Sequence, residues 1–276
     1  MDTNLNPQVA ARISATVGRA YQRFDGHLLN NPKVGELFER ITRSLYETLL
    51  VPGDAAIDVG ANYGLHTCPM AQAVGPTGRV LAFEPIPTVA DSLQQRIARE
   101  CPPGVVDLQR IALSHKTTTA EFHCVEADYG YSGLQAKNYP FEPRKKLITV
   151  QVDRLDQRLA GVAGRTVRFI KLDIEGGEFD ALRGAEGLLR QQRPLLVFEN
   201  SKQEAAKNYG YTKEAFFAFF HSLGYELRDI LGCPLLPEHW QYVGPWYTIA
   251  CPRELAGSVA VMQAACVAEQ MLDLQW

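Results

Sequence analysis

Apolar residues at the start of the chain recur at helical spacing. Val9, Ile13, Val17, Tyr21, Phe24 and Leu28 mark one face of an amphipathic helix over 8–29, and Asn30-Asn31-Pro32 stops it. Leu37, Ile41, Leu45 and Leu49 mark a second helix over 35–50, ended by the turn signal Val51-Pro52-Gly53. Short apolar runs then alternate with helical stretches: AAIDVG, 65–74, RVLAFEP, 88–100 and VVDLQRIALS. That alternation predicts a parallel sheet joined by right-handed crossovers. The period changes at 117–126 and 147–155, which read as two strands around the loop DYGYSGLQAKNYPFEPRKK, an inserted hairpin. Alternation resumes with VRFIKLDIEGGE, a helix over 179–192, the strand PLLVFEN and a helix over 212–223 ended by Gly224. Strands near 225–231 and 246–252 follow, and Leu255, Val259, Met262, Cys266 and Met271 predict a terminal helix within 253–274.

The pattern divides the chain into an N-terminal helical cap (1–50), an α/β domain (51–252) with an insertion at about 115–155, and a C-terminal helix (253–276). That last helix packs on the domain or at a homodimer interface. With 276 residues, 46% of them hydrophobic and 21% charged, the chain can bury a large core. A net charge of −3 leaves no basic footprint for nucleic acid or an anionic membrane. Neither a basic-then-apolar leader nor a run of about 18 apolar residues is present, so a cytoplasmic protein without membrane insertion is expected. Cys68, Cys101, Cys124, Cys233, Cys251 and Cys266 are scattered without a C-x-x-C pair, which indicates neither zinc nor a disulfide framework. Small-molecule or protein substrates are favoured.

Candidate chemistry begins where the first apolar run stops at Asp58 and breaks into Gly60-Ala61-Asn62-Tyr63-Gly64 before a helix. A nucleotide-type cofactor is usually seated on such a turn, and Glu84, about 20 residues on, can accept hydrogen bonds from both ribose hydroxyls. A dinucleotide site needs G-x-G-x-x-G so that bare backbone can approach a pyrophosphate. Here Asn62 replaces the middle glycine and the last glycine comes one residue early. S-adenosylmethionine has no pyrophosphate, and Asp58 at the strand tip suits its charged methionine end. A second constellation, Lys171-Leu172-Asp173-Ile174-Glu175-Gly176-Gly177-Glu178, puts carboxylates at the carboxyl edge of a central strand, where open α/β sheets bind ligands. Glu178 is equally explained as a helix cap.

The motifs D-V-G-A-N-Y-G, F-E-P and K-L-D-I-E-G-G-E, in that order, resemble the FkbM family of S-adenosylmethionine-dependent methyltransferases over roughly 50–200. Ala112-Leu113-Ser114 also fits, whereas Tyr131-Ser132-Gly133-Leu134 departs from the paired serines more usual there. The resemblance implies a class I methyltransferase Rossmann-like fold, with a mostly parallel seven-stranded sheet and helices on both faces. It also implies O-methylation of a sugar, glycolipid, polyketide or other natural-product hydroxyl. Asp58, Gly60, Ala61, Asn62, Tyr63 and Gly64 then stand for the methionine-binding turn, Glu84 and Pro85 for the ribose side, and Ala112 and Asp173 for the remaining cofactor wall. Asp173, Glu175 and Glu199 are the candidate catalytic acids. Asp173, Glu199 and Asn200 on neighbouring strand tips are similar to the magnesium site of catechol-type O-methyltransferases, which makes Mg2+ an alternative cofactor.

Methyl transfer from a sulfonium is downhill, so the protein must mainly align acceptor oxygen, methyl carbon and sulfur and exclude water. An aliphatic hydroxyl loses its proton close to the transition state, and Asp173 is the first choice of base. His66 and His115 are further candidates. Tyr129, Tyr131, Tyr139 and Phe141 with Arg144, Lys145 and Lys146 form a candidate lid, and Trp240, Tyr242, Trp246 and Tyr247 a second aromatic group. Three competing functions remain open: an N-methyltransferase of a small amine, a non-catalytic methyltransferase-fold partner subunit, and an oxidoreductase.

Overall fold

The computed structural model describes residues 32–136, 144–241 and 244–272, together with residue 15. The expected first helix, over 8–29, lies outside them except for that residue. The second is observed as α1 (Pro32–Leu49), with Leu37, Ile41 and Leu45 fully buried as the periodicity requires. After it come β1 (Ala55–Val59), α2 (Thr67–Val74), β2 (Arg79–Phe83), α3 (Pro87–Glu100) and β3 (Val106–Gln109). β4 (Ala112–Leu113), β5 (Thr118–Val125) and β6 (Lys145–Asp153) form a separate three-stranded sheet, with β5 and β6 as the antiparallel inserted hairpin. The chain then returns through β7 (Val167–Leu172), α4 (Glu178–Arg183), α5 (Glu186–Gln192), β8 (Leu195–Glu199), α6 (Gln203–Tyr209) and α7 (Lys213–Ser222). It ends in β9 (Tyr225–Asp229), β10 (Tyr247–Pro252) and α8 (Ala256–Leu272).

The seven-stranded sheet has the order β3-β2-β1-β7-β8-β10-β9, and only β10 runs against its neighbours. This is the class I methyltransferase arrangement. Every residue of β1 is buried, as a central parallel strand with both faces covered demands. Side chains alternate between the two faces: Ala55, Ile57 and Val59 enter one apolar cluster, while Ala56 enters the other. The second cluster also holds Leu37, Phe38, Ile41 and Leu45 from α1 and Val259, Cys266 and Val267 from α8, so the two outer helices cover one sheet face together. Among the described residues no helix is long and apolar enough to cross a membrane.

Two local expectations need correction. The single helix over 179–192 breaks after Arg183, at Gly184, whose carbonyl accepts the Asp156 N–H at 3.0 Å and where a Cβ would sit 2.1 Å from the Ser114 carbonyl oxygen. The new helix start is clasped from outside: Gly187 and Leu188 each donate a backbone N–H to the Asp156 carboxylate at 2.9 Å. The other correction is α6, whose seven residues follow PLLVFEN too closely for the periodicity to separate them.

α1 is held to the end of β10 by aromatic packing. The Phe38 ring meets Trp246 edge-on at 4.7 Å between centroids and Tyr247 at 6.3 Å. Phe38→Ala should therefore lower unfolding stability by about 3–5 kcal/mol, read from urea denaturation, because the Phe38 ring is fully buried between α1 and the start of β10.

Candidate functional site

The strand order reverses between β1 and β7, and the crevice at their carboxyl ends is where an open α/β sheet binds ligands. Gly60 leaves β1 with φ of 80°, and a Cβ there would lie 1.9 Å from the Asp173 carbonyl oxygen. Only glycine fits both constraints. Asn62 follows at φ of 46°, a left-handed conformation that asparagine tolerates better than most residues. Its N–H donates to Glu84 Oε2 at 3.0 Å, while the Ile86 N–H donates to Glu84 Oε1 at 2.8 Å, so Glu84 is aimed by the backbone on both sides. Burial pushes the Glu84 carboxyl up to about 7, those two N–H groups oppose the shift, and nearby Asp58 adds to it.

Asp58 is buried, and the Thr67 hydroxyl donates to its Oδ2 at 2.6 Å. Its Oδ1, like Asn62 Oδ1, is buried without a hydrogen-bond partner. A buried acceptor left unmet costs about 1–3 kcal/mol, and both residues line the cavity. The residues fit S-adenosylmethionine: two acceptors for a positively charged end, and Glu84 with further lone pairs for a ribose. Ala61, Tyr63, Pro85 and Ala112 line the same cavity, of about 640 Å³. Gly64 instead packs outward on α3, where a Cβ would meet Leu93 at 2.7 Å.

The opposite wall is the turn after β7. Glu178 accepts the N–H of Ile174 at 2.7 Å and of Gly176 at 3.2 Å, clasping a turn in which Glu175 (φ 63°) and Gly176 (φ 98°) are both left-handed. Burial pushes the Glu178 carboxyl up to about 7, against those N–H bonds. Asp173 Oδ2 accepts from Lys171 Nζ at 3.2 Å and lies 2.7 Å from Tyr247 Oη. Burial alone would raise the Asp173 carboxyl, but the Lys171 ammonium and the Tyr247 hydroxyl hold it below its ordinary value. Lys171 itself is disfavoured as a cation by burial, yet Asp173, Glu39 and Asp58 keep its pKa above the usual lysine value.

Tyr247 Oη also lies 2.8 Å from Glu39 Oε1, and Glu39 Oε2 lies 2.5 Å from His66 Nε2. Glu39 and Lys171 receive no role from the sequence, and Tyr247 is expected only as one of a second aromatic group. Lys171 sits inside the acidic motif, which is a usable signal. Tyr247 reads as strand packing, and Glu39 is one more polar residue on a surface helix.

The other expected residues divide clearly. Asp173, Glu175 and Glu199 all line the cavity, as do His66, Tyr129, Tyr131 and Trp246. The short turn at Tyr129–Tyr131 is stitched down: the Val125 N–H donates to Ser132 Oγ at 2.9 Å, and His123 and Gly133 pair through their backbones. Tyr139, Phe141 and Tyr242 fall outside the described residues. His115 pairs with Asp180 and does not line the cavity, Trp240 is core beside Phe216, and Arg144 pairs with Glu126 on the surface.

The metal set is not assembled as expected. Asn200 donates to Thr248 Oγ1 at 3.1 Å and its Oδ1 accepts the Lys202 N–H at 3.0 Å, so its amide is used within the fold. Glu178 stands with Asp173 and Glu199 instead, but its carboxylate serves the turn backbone and Asp173 already holds the Lys171 cation. These residues do not fit a magnesium site.

The family described as Methyltransferase FkbM domain matches residues 58–227. The chain is 25% identical over 176 residues to the 2-O-methyltransferase NoeI of Sinorhizobium fredii, covering 60% of this chain and 70% of that protein. It is 26% identical over 163 residues to Methyltransferase 1 of Beauveria bassiana, covering 51% of this chain and 62% of that protein. The solved structure of methyltransferase FkbM from Methylobacillus flagellatus KT is similar with a TM-score of 0.45 at 17% identity, covering 74% of this chain and 47% of that one.

Glu84 gives the cradle a pH dependence with a defined sign. Ribose hydroxyls donate to the ionised carboxylate, so affinity for S-adenosylhomocysteine should fall as pH drops below about 7, and binding near that pH should release protons. Calorimetry in buffers of different ionisation enthalpy reads both effects. Glu84→Gln should weaken binding about 10- to 100-fold and flatten its pH dependence; an unchanged profile would remove Glu84 from ligand binding.

Proposed function

Because the chain belongs to the Methyltransferase FkbM domain family and is thus an S-adenosylmethionine-dependent methyltransferase, we propose that it methylates a hydroxyl of an uncharged sugar, glycolipid, polyketide or similar natural product. The observation that carries this reading is Asp173, a carboxylate held ionised by Lys171 and open to the cavity, one strand across from the Asp58–Asn62 cradle. S-adenosylmethionine, when bound, supplies an electrophilic methyl group and a neutral thioether as leaving group.

The chain's own residues meet the remaining demands. The cradle fixes the donor's orientation through Asp58, Asn62 and Glu84, which turns a bimolecular encounter into an aligned one. A hydroxyl oxygen becomes strongly acidic once it begins to bond carbon, so even a carboxylate of lowered basicity can take its proton late in the reaction. Asp173 suits that task. The aromatic rings of Tyr129, Tyr131 and Trp246 offer flat apolar faces against which a sugar or ring can lie while water is excluded. NoeI, named a 2-O-methyltransferase, is consistent with oxygen as the acceptor atom.

The lining also argues against a phosphorylated or carboxylated acceptor. Glu39, Asp58, Glu84, Asp173, Glu175 and Glu199 face the cavity, whereas Lys171 is already paired and Arg144, Lys145 and Lys146 do not line it. The same acidic surplus favours the second reading, N-methylation of a small amine, which has less need of a base.

Two experiments separate these readings. Calorimetry should give S-adenosylhomocysteine binding and none for NAD; the reverse would sink methyl transfer. Labelled-methyl transfer to a panel of neutral glycosides, phenols and amines then identifies the acceptor atom. With a hydroxyl acceptor, Asp173→Asn should keep S-adenosylhomocysteine affinity and lower kcat by about 10²- to 10⁴-fold. Retained turnover would exclude Asp173 as the base.

A further inference from the structure

A phenol has one proton, and Tyr247 Oη lies within hydrogen-bond distance of two carboxylates, Asp173 Oδ2 at 2.7 Å and Glu39 Oε1 at 2.8 Å. It can donate to only one of them at a time. We propose that Glu39, supplied by the helix outside the sheet, is a positioning residue that sets the basicity of Asp173 by competing for the single proton of Tyr247. The inference rests on the reading of Asp173 as the base.

The geometry makes the competition possible because Glu39 cannot turn away. Its Oε2 lies 2.5 Å from His66 Nε2, and an ionised carboxylate only accepts, so that nitrogen carries the proton. His66 is held in turn by Tyr46, whose hydroxyl lies 3.3 Å from Nδ1 and whose ring packs edge-on at 5.7 Å. Burial and the neighbouring Asp173 and Glu39 charges keep Tyr247 a neutral phenol, so it remains a donor throughout. Burial disfavours an ionised Glu39, but the His66 hydrogen bond and the Lys171 charge hold its pKa below the ordinary value.

The consequence follows from counting hydrogen bonds in the two states. While Asp173 is ionised, the phenol donates to it and Lys171 donates alongside. When Asp173 takes up a proton from the acceptor oxygen, the phenol turns to Glu39 and keeps a charge-assisted hydrogen bond. Protonation of Asp173 then loses no phenol bond. Without Glu39 the phenol would have no second carboxylate, and protonating Asp173 would forfeit that bond and weaken the base. The other charged groups facing this array are Lys171, Asp58, His66, Glu178 and Glu199, and all of them are unchanged by the substitutions below.

The test is a carbon-13 NMR titration of aspartate carboxyls in the S-adenosylhomocysteine complex, with the Asp173 resonance assigned by its loss in Asp173→Asn. Glu39→Gln should lower the Asp173 midpoint and Tyr247→Phe should raise it, each by about one pH unit. In the Tyr247→Phe background the effect of Glu39→Gln should shrink, because the phenol that carries the competition is gone. An equal Glu39→Gln effect in both backgrounds would reduce Glu39 to a bare charge and overturn the proposal, as would no effect or a rise. Should Tyr247→Phe fail to fold, Tyr247→Leu supplies the background without the phenol and the same comparison decides: a smaller Glu39→Gln effect there supports competition, and an equal effect rejects it. The titration needs no methyl acceptor, so its outcome is independent of the Asp173→Asn turnover that tests Asp173 as the base.

Discussion

The site depends on one close contact between neighbouring strands. Asp173 donates its N–H to the Val59 carbonyl at 2.9 Å, and its own carbonyl lies against Gly60 with no room for a Cβ. β1 and β7 are thereby locked in register to their last residues, where Val59 pairs with Leu172. The Gly60–Gly64 turn and the turn that carries the acids are set by the same backbone junction. Any residue larger than glycine at position 60 would push the two apart, so the spacing between the Asp58–Asn62 turn and Asp173 is built into the sheet.

That junction gathers several carboxylates in a small volume, and the fold neutralises them in different ways. Away from that junction, at the opposite end of β1, Asp54 is met by the Arg168 fork, with Nε to Oδ2 at 2.6 Å and Nη2 to Oδ1 at 2.9 Å. Glu178 and Glu84 are met by backbone N–H groups, which fix shape without adding a cation. Asp173 and Glu39 share the buried Lys171. Asp58 and Asn62, which line the cavity, each keep one buried acceptor oxygen without a protein partner. The acids around the junction are thus met by backbone, by a cation or, at Asp58, only in part.

How much of this could be read from the sequence follows from how local each feature is. The strand order is encoded in alternation along the chain, and Asp58, Gly60, Asn62 and Glu84 belong to one βαβ unit, so spacing places them together. The break after Arg183 is not local, since the residues on either side keep a helical period while Asp156 and Ser114, which meet Gly184 there, come from distant parts of the chain. Glu39 is more hidden still. It sits beside Phe38 on a helix whose apolar stripe announces burial, and nothing in the stripe distinguishes a flanking acid facing water from one facing the cavity. Its contact with Tyr247 appears only when Phe38 docks on Trp246 and Tyr247.

This explains why the two halves of the cavity differ in legibility. A donor common to many reactions is held by strand ends, where parallel-sheet geometry fixes position and the required residue types are narrow. The other part of the cavity wall is assembled from α1, the turn over Tyr129–Tyr131 and Trp246 ahead of β10, three segments far apart in sequence and constrained mainly by packing. Packing accepts many side chains of similar volume, so these segments can change their chemistry without disturbing the sheet. Glu39 and Tyr247 stand at the boundary between the halves: they come from the variable side yet touch the network around Asp173, which couples the segments that shape the acceptor pocket to the carboxylate beside it.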